Sequence, residues 1–204
     1  GGGVRLNDRA KPTIRTLLFR AEHAELVDNW DTIGLRGTAS DGYRVTDLVV
    51  PERFSTTRED PDIRRELGPL YAIPMQGLYA VGVAGVAVGL ARAMLDECIE
   101  LAKTKAPRGV VPMAQSASVQ GDLAKAEAQL SAAGTWLEHI LDEVYDNVSA
   151  HPVSSINVQA RAQVRLGCIH AIKSSVEVAQ TTYRLAGVSA IFKGTPLERR
   201  YRDI

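Results

Sequence analysis

Few residues in this 204-residue chain are of types that do chemistry, and their spacing brings none of them together. His23, His139, His151 and His170 match no metal-ligand spacing, either with one another or with Cys98 and Cys168. A single histidine inside a helical pattern, as His139 and His170 are, is more often a bundle or surface residue than a catalyst. The glycine-rich run Gly82-Val-Ala-Gly85-Val-Ala-Val-Gly89 follows no strand and lies within a helical pattern, so it fails as a phosphate loop and reads as close helix packing. Lys193-Gly-Thr195 lacks the upstream glycine of a Walker loop, and Gly187-Val-Ser189-Ala-Ile191 lacks the second glycine of a nucleophile elbow. No nucleophile, base and orienting group can be assembled. Neither a catalytic residue nor a metal ligand is therefore assigned.

The elements that would carry any site follow from periodicity. Thr13 to Phe19 and Glu25 to Trp30 read as short strands, and a turn patch containing Gly34, Gly37, Ser40, Asp41 and Gly42 follows. In that patch positive φ at glycine and side-chain-to-backbone bonds are expected. Tyr43, Val45, Leu48, Val49 and Val50 predict a further strand that Pro51 ends. Residues 55–68 are charged and aperiodic, a surface connection. A first helix is predicted from Pro74 to Lys103, apolar nearly all round as far as Leu90, which suits the centre of an assembly. The second carries Val119, Leu123, Ala126, Leu130, Ala133, Leu137, Ile140, Val144 and Val148 alternately four and three apart, a heptad seam. The third, from Ser155 to Ala186, has an inner face of small residues and a stop at Gly187 in the left-handed conformation. Thr195-Pro196-Leu197-Glu198 then predicts a capping box and a fourth helix, cut short at Ile204.

Composition narrows the function classes. With 24 basic against 24 acidic residues there is no cationic excess to displace phosphate counterions, so nucleic acid is not an expected partner. Leu67 to Ala91 is uncharged, but Pro69 and Pro74 interrupt it, and Met75 to Ala91 falls short of the roughly 20 apolar residues of a membrane span. Two cysteines in helical patterns read as small buried hydrophobes, and no signal peptide is visible, so a cytoplasmic location is expected. Two or three strands make no stable sheet alone, which points to a fragment lacking a natural N-terminal part.

The turn GLRGTAS leading to DLVVPE resembles the end of the middle β-domain of the acyl-CoA dehydrogenase superfamily. The segments KTKAPRG, ASVQGDLAKAEAQL and AGVSAIFKGTPLERRYRDI resemble its branch of flavin-dependent hydroxylases, the closing P-L-E-R-R-Y-R-D run most specifically. The resemblance implies a mainly α chain: the last strands of a β-barrel-like middle domain over 1–54, a linker over 55–68, and over 69–204 an up-down four-helix bundle whose fourth helix is truncated. It implies a homotetramer with FAD or FMN between β-domain and bundle, the neighbouring subunit's bundle touching the flavin phosphates. Lys105-Ala-Pro-Arg108-Gly109 stands where dehydrogenases of the superfamily show R-x-x-F-G, so a cation remains while the bidentate fork is lost or moved to Arg108. Lys105, Arg108, Gln120 and Gly187 are thereby the expected cofactor-binding residues.

The resemblance also places the candidate catalysts. A dehydrogenase takes the α-proton with a glutamate early in the first bundle helix or after the fourth; Met75-Gln-Gly-Leu-Tyr79 holds no carboxylate, and the later position falls beyond Ile204. The hydroxylase branch commonly has a histidine after the R-D pair, again beyond Ile204. The leading expectation is therefore a two-component flavin monooxygenase acting on an aromatic or polycyclic small molecule, with a flavin reductase as partner. The alternatives are an acyl-CoA dehydrogenase working with an electron-transfer protein, and a non-catalytic helical oligomerisation module. By itself the chain is expected to be catalytically silent.

Overall fold

The computed structural model describes residues 3–6, 13–57, 60, 63–106, 109, 111–153 and 155–204. They fall into two units, Gly1–Leu67 and Gly68–Ile204.

In the first unit β1 (Gly3–Leu6) and β2 (Thr13–Leu17) pair antiparallel with Gly3 opposite Thr16, and β5 (Ser55–Thr56) adds to the other edge of β2. Two further strands, β3 (Glu25–Val27) and β4 (Gly42–Arg44), form a separate antiparallel ribbon. The strand predicted over Tyr43 to Val50 stops at Arg44. Asp47 sits at φ +49°, in the left-handed region that a short polar side chain tolerates and a ladder does not.

The turn patch also differs from its glycine-based reading. Positive φ falls on Leu35 (+53°) and Ala39 (+43°), either side of a 3₁₀ turn at Arg36–Thr38, and not on Gly34, Gly37 or Gly42. Side-chain bonds hold this conformation: Trp30 Nε1 and Thr38 Oγ1 both donate to the Leu35 carbonyl, at 3.0 and 2.9 Å. Asp41 Oδ1 accepts from the amides of Asn29 and Trp30 at 3.1 and 2.9 Å, tying the ribbon across its open end.

In the second unit the heptad seam becomes α2 (Ala117–Ala150), with Ala126, Leu130, Ala133, Leu137, Ile140, Val144 and Val148 buried. Only the first positions, Val119 and Leu123, are half-buried. The seam packs on α3 (Val158–Ala186), whose start is capped by Asn157, its side chain accepting from the Ala160 amide at 2.9 Å. The two run antiparallel, since Asp122 meets Arg184 near one end while Trp136 meets His170 further along. Their axes come close at Gly167, where an added Cβ would lie 2.9 Å from Ile140 Cδ1 and 3.2 Å from Leu137 Cδ1. Small residues on α3 thus act as the sequence implies, by letting the larger side chains of α2 approach.

The first helix, α1 (Met75–Thr104), buries Ala84, Ala87, Ala91, Met94, Leu95 and Cys98. Its centrality is one-sided. Tyr79, Val83 and Val86 remain 59, 58 and 58% exposed, and a Cβ added at Gly82, Gly85 or Gly89 would meet nothing within 4 Å. The length argument against a bilayer span does not hold either, because Pro74 opens the helix and it runs unbroken for 30 residues; by length and composition alone it is long enough to cross a membrane.

The short α4 (Pro196–Asp203) closes the unit by burying Leu197 against Met94, Ala179, Ala186 and Ala190. Thr195 caps it, accepting from the Glu198 amide at 3.4 Å. The reciprocal half of the capping box is displaced: the Thr195 amide donates to the Phe192 carbonyl, while the Glu198 carboxylate pairs with Arg202 and also accepts from the Gly194 amide. The resulting architecture is the expected up-down bundle, with three long helices and a short fourth.

Candidate functional site

Because α1 and α2 run in opposite directions and α3 runs with α1, the end of α1, the start of α2 and the end of α3 meet at one end of the bundle. That end gathers three of the four residues expected at a cofactor. Lys105 is the residue that ends α1, its amide donating to the Leu101 carbonyl at 2.9 Å and its own carbonyl accepting from Met113 at 3.1 Å. Its ammonium reaches across to the Ala186 carbonyl at 2.6 Å, in the last turn of α3, where the negative end of the helix dipole favours a cation. Gly187 follows directly, at φ +53°. Its ψ of −133° lies outside the left-handed helical well, in a region open to glycine and closed to residues with a Cβ. A Cβ there would lie 3.9 Å from Lys105 Nζ.

Gln120 sits in the first turn of α2 and donates from Nε2 to the Ala114 carbonyl at 2.7 Å. The 3₁₀ turn Met113–Gln115 is thus held by Lys105 on one side and Gln120 on the other. Arg108 lies outside the described residues.

The chemistry of this end suits the phosphates of a cofactor. The Lys105 ammonium has three donors, of which one is used on Ala186. Alpha-helix α2 starts after Ser116 with no side-chain cap, so its first amides and the positive end of its dipole are available to an anion. Asp122 is held by Arg184 at 3.6 Å, which offsets the carboxylate nearest this helix start. Neither cysteine is an activated nucleophile. Burial pushes the Cys98 thiol up to about 11, more than the Lys105 ammonium pulls it down, and burial also raises Cys168; both stay protonated thiols at neutral pH.

The closing P-L-E-R-R-Y-R-D run packs rather than reacts in this chain. Leu197 is buried, Arg200 pairs with Glu97 of α1, and Tyr201 stacks on Tyr183 with ring centroids 4.0 Å apart.

Two residues that the motif search passed over lie at the opposite end. Arg161 and Arg165 line a cavity of about 170 Å³ between the starts of α1 and α3. Their signal is the pair R-A-Q-V-R, two like charges four apart on one helix face with no acid between them, which destabilises a bare helix and calls for a counter-charge.

The family model described as Acyl-CoA dehydrogenase, C-terminal domain, matches residues 81–204. The chain is 29% identical over 198 residues to the indole-3-acetate monooxygenase of Acinetobacter baumannii, covering 97% of this chain and 50% of that protein. Among solved structures, the 3-HSA hydroxylase from Rhodococcus sp. RHA1 superposes with a TM-score of 0.85 at 22% identity, over 98% of this chain and 53% of that one. XiaF from Streptomyces sp., solved in complex with FADH2 and glycerol, superposes with a TM-score of 0.82 at 21% identity, over 95% and 50%. At such identities the two structures speak for the fold alone. The chain spans about half the length of the curated relatives it matches. Since the matched residues are nearly all of those that build α1 to α4, the bundle itself carries the assignment: the chain belongs to the acyl-CoA dehydrogenase family.

Proposed function

We propose that the intact protein is the oxygenase of a two-component flavin monooxygenase, hydroxylating an aromatic or polycyclic small molecule. The observation that carries this reading is the likeness, at 29% identity over 97% of the chain, to an indole-3-acetate monooxygenase. The start of α1 agrees with it: Met75 to Tyr79 carries no carboxylate, so a dehydrogenase's proton abstraction has no base there. Bound reduced flavin would supply the two electrons with which dioxygen is divided between a hydroxyl on the substrate and water. The flavin is FAD or FMN, delivered by a flavin reductase. Lys105 and Gln120 hold the turn that faces its phosphates, and the conformation of Gly187 lets a phosphate come close to the backbone. Arg108, beside them in sequence, would add a second cation.

The assembly proposed is a homotetramer in the cytoplasm, and the exposed apolar side chains of Val83 and Val86 on α1 support association. The test is to give the intact protein chemically reduced flavin, oxygen and indole-3-acetate as the probe substrate, and to give a second sample oxidised flavin and an acyl-CoA without oxygen. Hydroxylated indole product in the first and no flavin bleaching in the second are expected. Bleaching by the acyl-CoA would establish the dehydrogenase instead.

A further inference from the structure

The cavity between the starts of α1 and α3 is walled by apolar groups, Ile73, Ala80, Ile156 and Val164 among them, yet two guanidinium groups line it and no carboxylate does. Arg161 is positioned by the chain: its Nε donates to the Ile156 carbonyl at 2.9 Å and its Nη2 to Ser155 Oγ at 3.3 Å. Arg165, one turn further along α3, makes no hydrogen bond or ion pair with any described residue. Glu143 and Asp146 line a separate cavity between the end of α2 and the start of α3. Arg161 and Arg165 are both exposed at the rim, so each guanidinium stays hydrated, and together they offer an approaching anion two forks of donors beside apolar walls. The helix poles act in the same sense, since both α1 and α3 begin here and α1 begins without a side-chain cap.

We propose that this cavity binds a small organic acid, an apolar or aromatic body carrying one carboxylate, with Arg165 as its principal counter-charge and Arg161 fixing the rim. The planar guanidinium fork matches a carboxylate by two parallel bonds, and the half-buried Pro74, Gly77 and Ala80 on the α1 side take the body. A volume of about 170 Å³ suits a single-ring acid and is too small for a drug-sized ligand. The inference does not depend on the hydroxylation reading, because its readout is binding without flavin or turnover.

The test is calorimetric titration of the intact chain with phenylacetate, with its neutral counterpart phenylacetamide, and with inorganic phosphate. Phenylacetate should bind at least about tenfold more tightly than the amide and than phosphate, with affinity falling as salt rises. Arg165→Gln should weaken phenylacetate about tenfold while leaving the amide unchanged, and Arg165→Lys should keep part of the preference. Equal binding of acid and amide, no phenylacetate binding at millimolar concentration, or full binding by an Arg165→Gln variant of native helicity would overturn the proposal. Phosphate binding as tight as phenylacetate would overturn the apolar-body part and leave a bare anion site. Should Arg165→Gln fail to fold, the acid-to-amide comparison on the unaltered chain still decides.

Discussion

Lys105 shows how much a single side chain does at the end of the bundle where α1 stops and α2 starts. Lys105→Met removes the donor from the Ala186 carbonyl, an acceptor in a fully buried residue, and should destabilise the bundle by about 1–2 kcal/mol, read from the urea midpoint, while Lys105→Arg loses less. The same exchange should weaken flavin binding. Glu127 gives a pH signature. Hydrogen bonds from Arg92 first and Ser131 second hold its carboxyl below the usual carboxylate range. A folded-state value lowered in this way contributes stability that is present above the unfolded value of about 4 and is lost as pH falls through the folded one. Glu127→Gln should therefore cost up to about 1 kcal/mol at neutral pH, and the difference from the parent should shrink towards nothing in acid denaturation series. The residues of this end were legible only in part. Lys105 is expected from the sequence as a cation after the first bundle helix, but its partner is a backbone carbonyl 81 positions away, and no spacing rule reaches that far.

The helices were the most legible elements, because a heptad repeat survives any detail of packing. Leu130, in the middle of the α2 seam, is 3% exposed, and Leu130→Ala should cost about 2–5 kcal/mol in thermal or urea unfolding; an unchanged midpoint would mean the seam does not bear on the core. Gly167→Val tests the α2–α3 approach from the other side. Ile140 and Leu137 must both move to admit it, so a loss of about 1–3 kcal/mol is expected with little change in helical content. The strands were less legible. Alternating Tyr43, Val45 and the run Leu48 to Val50 has the composition of a strand, but Asp47 turns the chain after Arg44, a conformational choice that composition does not encode. The cap of α4 differs in a related way: the Glu198 carboxylate is shared between the Gly194 amide and Arg202, which sits one helical turn on in the same helix.

On the scale of the whole molecule, the two candidate sites lie at opposite ends of α1. Its 30 residues span roughly 45 Å, with Gly77 at the cavity and Lys105 at the cofactor end. A resemblance carried by a few motifs in the first strands, the α1–α2 connection and α4 identified the superfamily, because those segments make the turns and caps that the bundle needs. Among the described residues of α1 to α4 no catalytic base is assembled, and Cys98 and Cys168 are buried, protonated thiols. The most direct test of the central claim is turnover of the intact protein with reduced flavin and the probe substrate under isotopically heavy dioxygen. The account predicts one heavy oxygen atom in each hydroxylated product molecule and the other in water; flavin oxidation without label in any product, together with bleaching of oxidised flavin by an acyl-CoA, would contradict it.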